Sequence, residues 1–356
     1  MPSEIVLRQK TWRDAAAAQE AMGRLDERVR HVPGADMWAQ QVFRREIRAS
    51  ASLDDVLVTT REAYLVDETH SGGHPLAGYL RAGVEVAGAA RAGRPLTVEL
   101  LGRISAVMHG PADDDIDRWR TGPAWLGGPR PQDAYLLVAP PGAEMWVAAE
   151  QWCSWTRTQD ELPVVVKAVV AFVQFLLLSP FPGAGHLARL ALLHELMVAG
   201  VLSAPVLPLS GWVYRQRERL PSLVRGVVER GGFDELVSFL ATGIRSVCAE
   251  EEFRIDKARA VVSGMADRFA RKTSMATLVE ALGVTPAMTL RQVADTCGVS
   301  LSQAANLARR LQSEGVVESI DLDSLRYQSD DAAYRKVIFV PEVLHVLLDI
   351  IPPFAL

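Results

Sequence analysis

Cysteine is almost missing from the 356 residues: Cys153, Cys248 and Cys297 are the only three, far apart and without a CxxC spacing. This excludes a disulfide framework and a cysteine-built zinc site, and fits a reducing compartment. Lysine is scarce, and acidic residues outnumber basic ones, for a formal net charge of −5 and a pI of about 5.9. Bulk attraction to nucleic acid is therefore not expected, although a local basic face could still bind it. Long hydrophobic runs are missing too. The most apolar stretch, Val164 to Leu178, is short for a membrane span and carries Lys167 and Gln174. A helix that is apolar around most of its circumference is more simply the buried centre of a soluble domain. The opening MPSEIVLRQKTWRD has no apolar core and no cleavage site, so no secretory signal is expected and the expected location is cytoplasmic, with no membrane partner. There is no internal repeat and no low-complexity tract.

What is present is material for a large helical core. Hydrophobic residues make up 49% and charged residues 23% of the chain, enough for two domains or for one large domain with an appendage. Helical spacing predicts helices over 13–30, 37–49, 53–68, 76–92 and 97–109, with Pro33-Gly34 as a break, the HSGGHP stretch at 70–75 as a loop, and Pro95-Leu96-Thr97 as a start signal. Residues 111–145 differ. Proline and glycine cluster there around a short β-like run, Ala134 to Val138, and a long irregular excursion of this kind is usually a flap or a functional segment. Helices resume at 145–158, 162–178, 187–200, 210–230, 233–249 and 251–270.

The last segment changes character. Met275 to Leu282, Leu290 to Thr296 and Leu301 to Glu314 read as helices, with Thr289 and Ser300 as caps and Gly298 in the tight turn between the last two. Two short strands near 316–320 and 336–340 would form a wing, which predicts a C-terminal winged helix-turn-helix. Leu301, Ser302, Gln303 and Asn306 could read base edges, with Arg309 and Arg310 ending that helix. Few basic residues surround them, so dimerisation or packing is an equal alternative to DNA binding.

One loop carries most of the functional argument. Between the apolar helix and its successor lies Ser179-Pro180-Phe181-Pro182-Gly183-Ala184-Gly185-His186-Leu187-Ala188-Arg189. Glycines just before a helix N-terminus form a backbone nest able to receive an anion. The string QFLLLSPFPGAGHLAR resembles the signature of the Fic (fido) family, H-P-F-[DE]-G-N-G-R-x-x-R, which a Gln-Phe pair precedes in that family. Other segments match in order. AMGRLD (Ala21 to Asp26) and EIRASASLDD (Glu46 to Asp55) resemble the family's N-terminal region, and RTGPAWLGG (Arg120 to Gly128) and Ala134 to Pro141 resemble its flap. LLHELMVAGVLSAPVLPLS (Leu192 to Ser210) resembles the helix and turn after the signature, and a winged helix is a frequent companion of the domain.

The resemblance implies an all-α fold: a Fic helical domain with a short β-containing flap, plus a C-terminal winged helix. The divisions expected are 1–110, 111–270 and 271–356. It also implies what the loop has lost. Ser179 stands where the family's general base stands, and a serine hydroxyl is too weakly basic for that work. Pro182 replaces the acidic residue that holds Mg²⁺ on the nucleotide phosphates. Ala184 and His186 replace the Asn and first Arg that contact phosphate. Only Pro180, Phe181, Gly183, Gly185 and Arg189 remain. Ser50-x-x-x-Asp54-Asp55 matches the family's S/T-x-x-x-E-G inhibitory helix, so an Asp54–Arg189 ion pair is the implied counterpart.

Several readings stay open at this level. Ser179 and His186 would both face the cleft if the family geometry holds, as a catalytic or hydrogen-bonding pair oriented by Asp54 or as drift after lost function. Phe181, Gly183, Ala184, Gly185 and Arg189 form the candidate ligand-binding loop. On the flap, Trp125, Gly127, Gly128 and Tyr135 either touch a ligand or anchor the flap. His70 and His74, spaced i, i+4 around SGG, do not make a metal site; no metal ligand set and no cofactor are expected. His194 reads as an ordinary helix residue. Three functions remain: a cleft repurposed for a non-nucleotide small molecule, a non-catalytic regulator acting through the winged helix with DNA or a second copy as partner, and residual transfer of a phosphate-containing group.

Overall fold

The structure, a computed structural model, describes residues 5–32, 34–59, 62, 63, 66, 74–109, 119–127, 130–158, 162–268, 273–321 and 336–347. Among these the chain is mostly helical. In order run α1 (Gln9–Arg30), α2 (Ala35–Leu53), α3 (Pro75–Arg91), α4 (Val98–Met108), β1 (Trp125–Gly127), β2 (Ala134–Leu137), α5 (Ala143–Thr156), α6 (Val164–Leu178) and α7 (Ala184–Val198). There follow α8 (Leu209–Arg215), α9 (Leu220–Arg230), α10 (Asp234–Ala266), α11 (Ser274–Val284), β3 (Ala287–Thr289), α12 (Leu290–Cys297), α13 (Leu301–Ser313), β4 (Glu318–Asp321), β5 (Lys336–Phe339) and α14 (Pro341–Leu347).

The apolar run over 164–178 becomes α6, with Val165, Val166, Val169, Val170, Phe172 and Val173 all buried. It packs against α7, α5, α10 and α1, while α1 lies along α10 and α3 packs on α4 and α7. Each such side chain, fully buried, stabilises the fold by about 1.5–3 kcal/mol. Among the described residues no helix is long and apolar enough to cross a membrane.

Three helical expectations need correction. Residues 210–230 hold two helices, since 216–219 turn out of α8 and Pro221 sits in the first turn of α9. The helices expected over 233–249 and 251–270 are one helix of 33 residues, because no Gly or Pro interrupts 249–253 and Glu251 is buried against Arg45 of α2. The helix expected over 53–68 does not start at residue 53, although residues 62 and 63 are helical and 60, 61, 64, 65, 67 and 68 lie outside the described residues. Instead α2 runs on to Leu53 and residues 54–59 are turn and extended chain. That extension places Ser50 and Asp54 on the site. His70 and Gly128 lie outside the described residues.

After α10 the chain forms α11, α12 and α13 and a three-stranded antiparallel sheet of order β3-β5-β4. Thr289 and Ser300 each close a capping box, with Gln292 and Gln303 respectively, which satisfies orphan amides at both helix starts. Gly298 ends α12 at φ 62. Strand β3, not anticipated from the sequence, pairs Met288 with Ile338.

Candidate functional site

A cavity of about 900 Å³ opens where the C-terminal end of α2, the α6–α7 loop, α8 and the β1–β2 flap converge. Helix α6 ends at Ser179, which takes a left-handed φ of 41 and donates its Oγ–H to the Leu176 carbonyl at 2.6 Å. The hydroxyl is thus turned back onto the helix. Phe181 is buried and stacks on Trp119 with ring centroids 4.8 Å apart. The Pro182 carbonyl accepts from Ser105 Oγ at 2.9 Å. Gly183 precedes α7 at φ 71, a left-handed backbone that favours glycine, and a Cβ there would have to push aside the end of the Met108 side chain. Ala184 then begins α7 on the cavity wall.

Gly185 is required for a different reason. A Cβ there would lie 2.9 Å from Oδ1 of Asp54. The Asp54 carboxylate therefore rests against the first turn of α7, the place where helix amides favour negative charge. The same oxygen receives Nη2 of Arg189 at 2.7 Å. Arg189 also donates Nε to Ser50 Oγ at 2.5 Å and Nη2 to the Ser50 carbonyl at 2.9 Å. Tyr79 donates its hydroxyl to the second Asp54 oxygen at 3.4 Å, and burial and the neighbouring carboxylate push that phenol upward. The ion pair implied by the S-x-x-x-D spacing is formed, and Ser50 is part of it.

His186 does not face the cleft, which corrects the expected pairing with Ser179. Its ring is fully buried between α2 and α3, with Nδ1 2.7 Å from Ser50 Oγ and the Tyr79 ring 4.6 Å away. Arg189 donates to the same Oγ, so the two side chains share one serine hydroxyl. Burial, and then the Arg189 cation, hold its pKa well below 6.5. The physical reason is helical phase: one residue past Gly185, on the first turn of α7, points into the bundle and not across the loop.

The flap is tied down by Arg120. Its guanidinium donates to the Ser179 carbonyl (2.7 Å), the Gly122 carbonyl (2.6 Å) and the Ala139 carbonyl (2.5 Å), while Ala139 N–H reaches the Leu177 carbonyl. No spacing rule in the sequence marked this residue as a clamp. Trp125 and Tyr135, on paired strands with Leu126 opposite Leu136, both line the cavity, and Gly127 sits at φ 134. Burial pushes the Tyr135 phenol up to about 12. Glu46, whose role the sequence did not show either, is buried on the cavity floor and accepts from the Ser210 amide at 2.7 Å. His74 and His194 are structural: the first caps α3 through Leu76 N–H, and the second meets the Arg94 carbonyl at 2.9 Å.

These elements define a mostly helical protein with a cleft at the start of a central helix, lined in part by a two-stranded flap, and its fold is that of a Fic family protein. The chain is similar to the crystal structure of a Fic family protein from Desulfovibrio desulfuricans G20, with a TM-score of 0.55 and 16% sequence identity, over 96% of this chain and 98% of that one. At that identity the likeness speaks for the fold alone. The sequence matches no family model and no curated protein.

Proposed function

We propose that this is a Fic-fold protein that does not transfer AMP and whose cleft binds a neutral, non-nucleotide small molecule. One observation carries the reading: the loop's remaining guanidinium, Arg189, is held by the chain's own Asp54 and Ser50, and that carboxylate lies against the first turn of α7 at Gly185. A triphosphate would have to displace Asp54 and face its charge. A magnesium–nucleotide does not fit the loop either. Pro182 has no side-chain oxygen, its carbonyl is taken by Ser105, and Asp54 is engaged by Arg189 and Tyr79. Ser179, which stands at the place of the family's base, turns its hydroxyl onto α6 and is no base for a hydroxyl target. Phe172, Leu176, Leu192 and Val213 give the cavity apolar walls between the charged side chains of Glu46, Asp55 and Arg217, which suits a small molecule with both apolar and polar parts. Ala184, Gly185 and the flap residues Trp125 and Tyr135 are the contacts in this reading, which divides the chain at residues 110 and 270.

Calorimetric titration tests it. ATP with Mg²⁺ is expected to give no saturable heat in the micromolar range, and micromolar, Mg²⁺-dependent binding would overturn the proposal. Asp54→Ala frees Arg189, so affinity for inorganic phosphate should rise about tenfold, the size of one charge-assisted hydrogen bond. AMP transfer should still not appear.

A second reading, a non-catalytic regulator acting through a C-terminal winged helix, draws support from α13, where Ser302, Asn306, Arg309 and Arg310 are exposed. Against tight DNA binding, Gln303 is spent in its capping box and Asp295 and Glu314 flank the helix. Anisotropy with random duplexes is expected to show an affinity loss of under about tenfold between about 50 and 200 mM salt, against the 10³–10⁵ of a protein making 6–10 phosphate contacts. Tight, steeply salt-dependent binding to one duplex would promote the regulator reading.

A further inference from the structure

Among the described residues the cleft is lined by three carboxylates, of Glu46, Asp54 and Asp55, and by three guanidinium groups, of Arg120, Arg189 and Arg217. Four of the six are engaged by the chain itself. Asp54 and Arg189 hold each other, Glu46 accepts from the amide and hydroxyl of Ser210, and Arg120 is spent on backbone carbonyls. The other two, Asp55 and Arg217, are exposed. The Asp55 carboxylate makes no hydrogen bond or ion pair among the described residues. The Arg217 guanidinium meets Tyr214 alone, lying over its ring at 4.6 Å and donating Nη1 to its carbonyl at 3.2 Å. They stand on different walls. Asp55 follows α2, next to the Asp54 that touches the start of α7, and Arg217 lies in the turn between α8 and α9, whose Arg225 reaches the flap at the Tyr135 carbonyl. Asp55 also holds an unfavourable backbone: its φ is 61, in the left-handed region that glycine takes without strain. The other non-glycine residue with a positive φ among those described is Ser179, on the same cleft. Strain of this kind gathers at ligand sites.

The lining charges balance. A ligand of one sign gains at one of the two open groups and loses at the other, whereas a zwitterion gains at both. Stacking on Tyr214 also holds the Arg217 fork in place, which suits a carboxylate. A single amino acid carries both charges on one carbon and leaves most of a cavity of about 900 Å³ empty, while a chain with a charge at each end fills it. Building on the reading of the cleft as a site for a net-neutral small molecule, on which this rests, we propose that its ligand is a zwitterion with ammonium and carboxylate at the two ends of an apolar body: a short peptide of apolar residues with free termini. The ammonium pairs with Asp55, the carboxylate with Arg217, and the apolar side chains lie on Phe172, Leu176 and Val213 between them.

The full-length protein is titrated calorimetrically with a panel of short peptides of Leu, Val and Phe, each with free termini, N-acetylated, or C-amidated. Saturable binding at one site is expected for members with both termini free. Acetylation removes the ammonium and amidation the carboxylate, and each should weaken binding about fivefold, the worth of one solvent-exposed ion pair. Asp55→Gly suits φ 61 and should not lower the unfolding temperature. In that variant the free peptide should bind about fivefold more weakly, and acetylation should cost nothing further. Arg217→Gln, at an exposed position, should do the same for amidation. Absence of saturable binding across the panel overturns the proposal, and so does a cost of acetylation or amidation that survives the matching substitution. ATP with Mg²⁺, titrated into the same protein, keeps the two failures apart. If neither peptides nor ATP bind, the peptide proposal alone falls; micromolar ATP binding overturns the reading beneath it.

Discussion

Replacing Glu251 by Gln is expected to lower the stability of the protein by about 3–5 kcal/mol, the cost of leaving a buried charge without its partner. Arg45 of α2 donates Nη1 to Oε1 of Glu251 at 2.8 Å and Nη2 to Oε2 at 2.5 Å, and the two side chains are 2% and 0% exposed. Arg254 adds a third bond from the next turn of α10. Burial alone would raise the Glu251 pKa, but the two guanidinium groups outweigh it and hold the carboxyl below its ordinary value. The carboxylate is therefore ionised in the folded protein, and Gln would take away the charge that Glu251 sets against the buried Arg45. Because the folded pKa is depressed, this contribution is complete above the ordinary 4.5 and is lost as pH falls below it. Urea unfolding at neutral pH measures the effect. Glu85→Gln is the control: its pair with Arg103 is 28% and 53% exposed and should be worth under about 1 kcal/mol. A loss below 1 kcal/mol for Glu251→Gln would mean that water reaches the pair.

The same ion pair shows why part of the molecule was hidden in the sequence. Local signals were legible wherever one segment contains its own explanation. Thr97, Thr289 and Ser300 announce helix starts and are found as caps, and the uninterrupted apolar surface of 164–178 announces a buried helix. The run Ala249-Glu-Glu-Glu-Phe253 gives no such notice. It reads as a solvated break between two helices, whereas Glu251 is buried against a residue 206 positions earlier. Without that partner the continuity of α10 cannot be inferred. Nor can the extension of α2 to Leu53, whose buried side is fixed by α8 and α3.

At the candidate site the division is similar. The S-x-x-x-D spacing placed Ser50 and Asp54 one helical turn apart, and a single arginine on α7 reaches both. The loop glycines were legible for a comparable reason, since a left-handed φ at Gly183 favours glycine and the close carboxylate at Gly185 crowds any side chain. The direction of His186 was not legible. A histidine in a loop motif carries the expectation of an open cleft, and its partner Ser50 lies 136 positions away on another helix. Arg120 and Glu46 open segments that the sequence matched to the family, but their roles were not legible, because backbone carbonyls and a serine amide, which leave no mark in a sequence, are their partners.

The placement of His186 leads to an expected result opposite to the one that an exposed loop residue would give. His186→Arg should destabilise the protein by about 3 kcal/mol or more, because a permanent cation would then be buried beside the Arg189 cation and at a helix N-terminus, where positive charge is disfavoured. Asp54 is already engaged by Arg189. His186→Ala removes packing against Tyr79 and the bond to Ser50, and should cost less, about 1–3 kcal/mol. The pH dependence follows from the depressed pKa. Between the folded value and the ordinary 6.5 the unfolded chain binds a proton that the folded protein refuses. Stability is therefore complete above 6.5 and falls as pH drops below it, with a slope from this group approaching about 1.4 kcal/mol per pH unit. His186→Gln should flatten that slope while keeping a hydrogen-bonding group near Ser50. Urea midpoints from pH 7.5 down to about 5 for the parent and the three variants separate the cases. A fully stable His186→Arg protein, or a parent whose slope survives in His186→Gln, would show that the ring reaches solvent, and His186 would then return to the cleft as a candidate ligand contact.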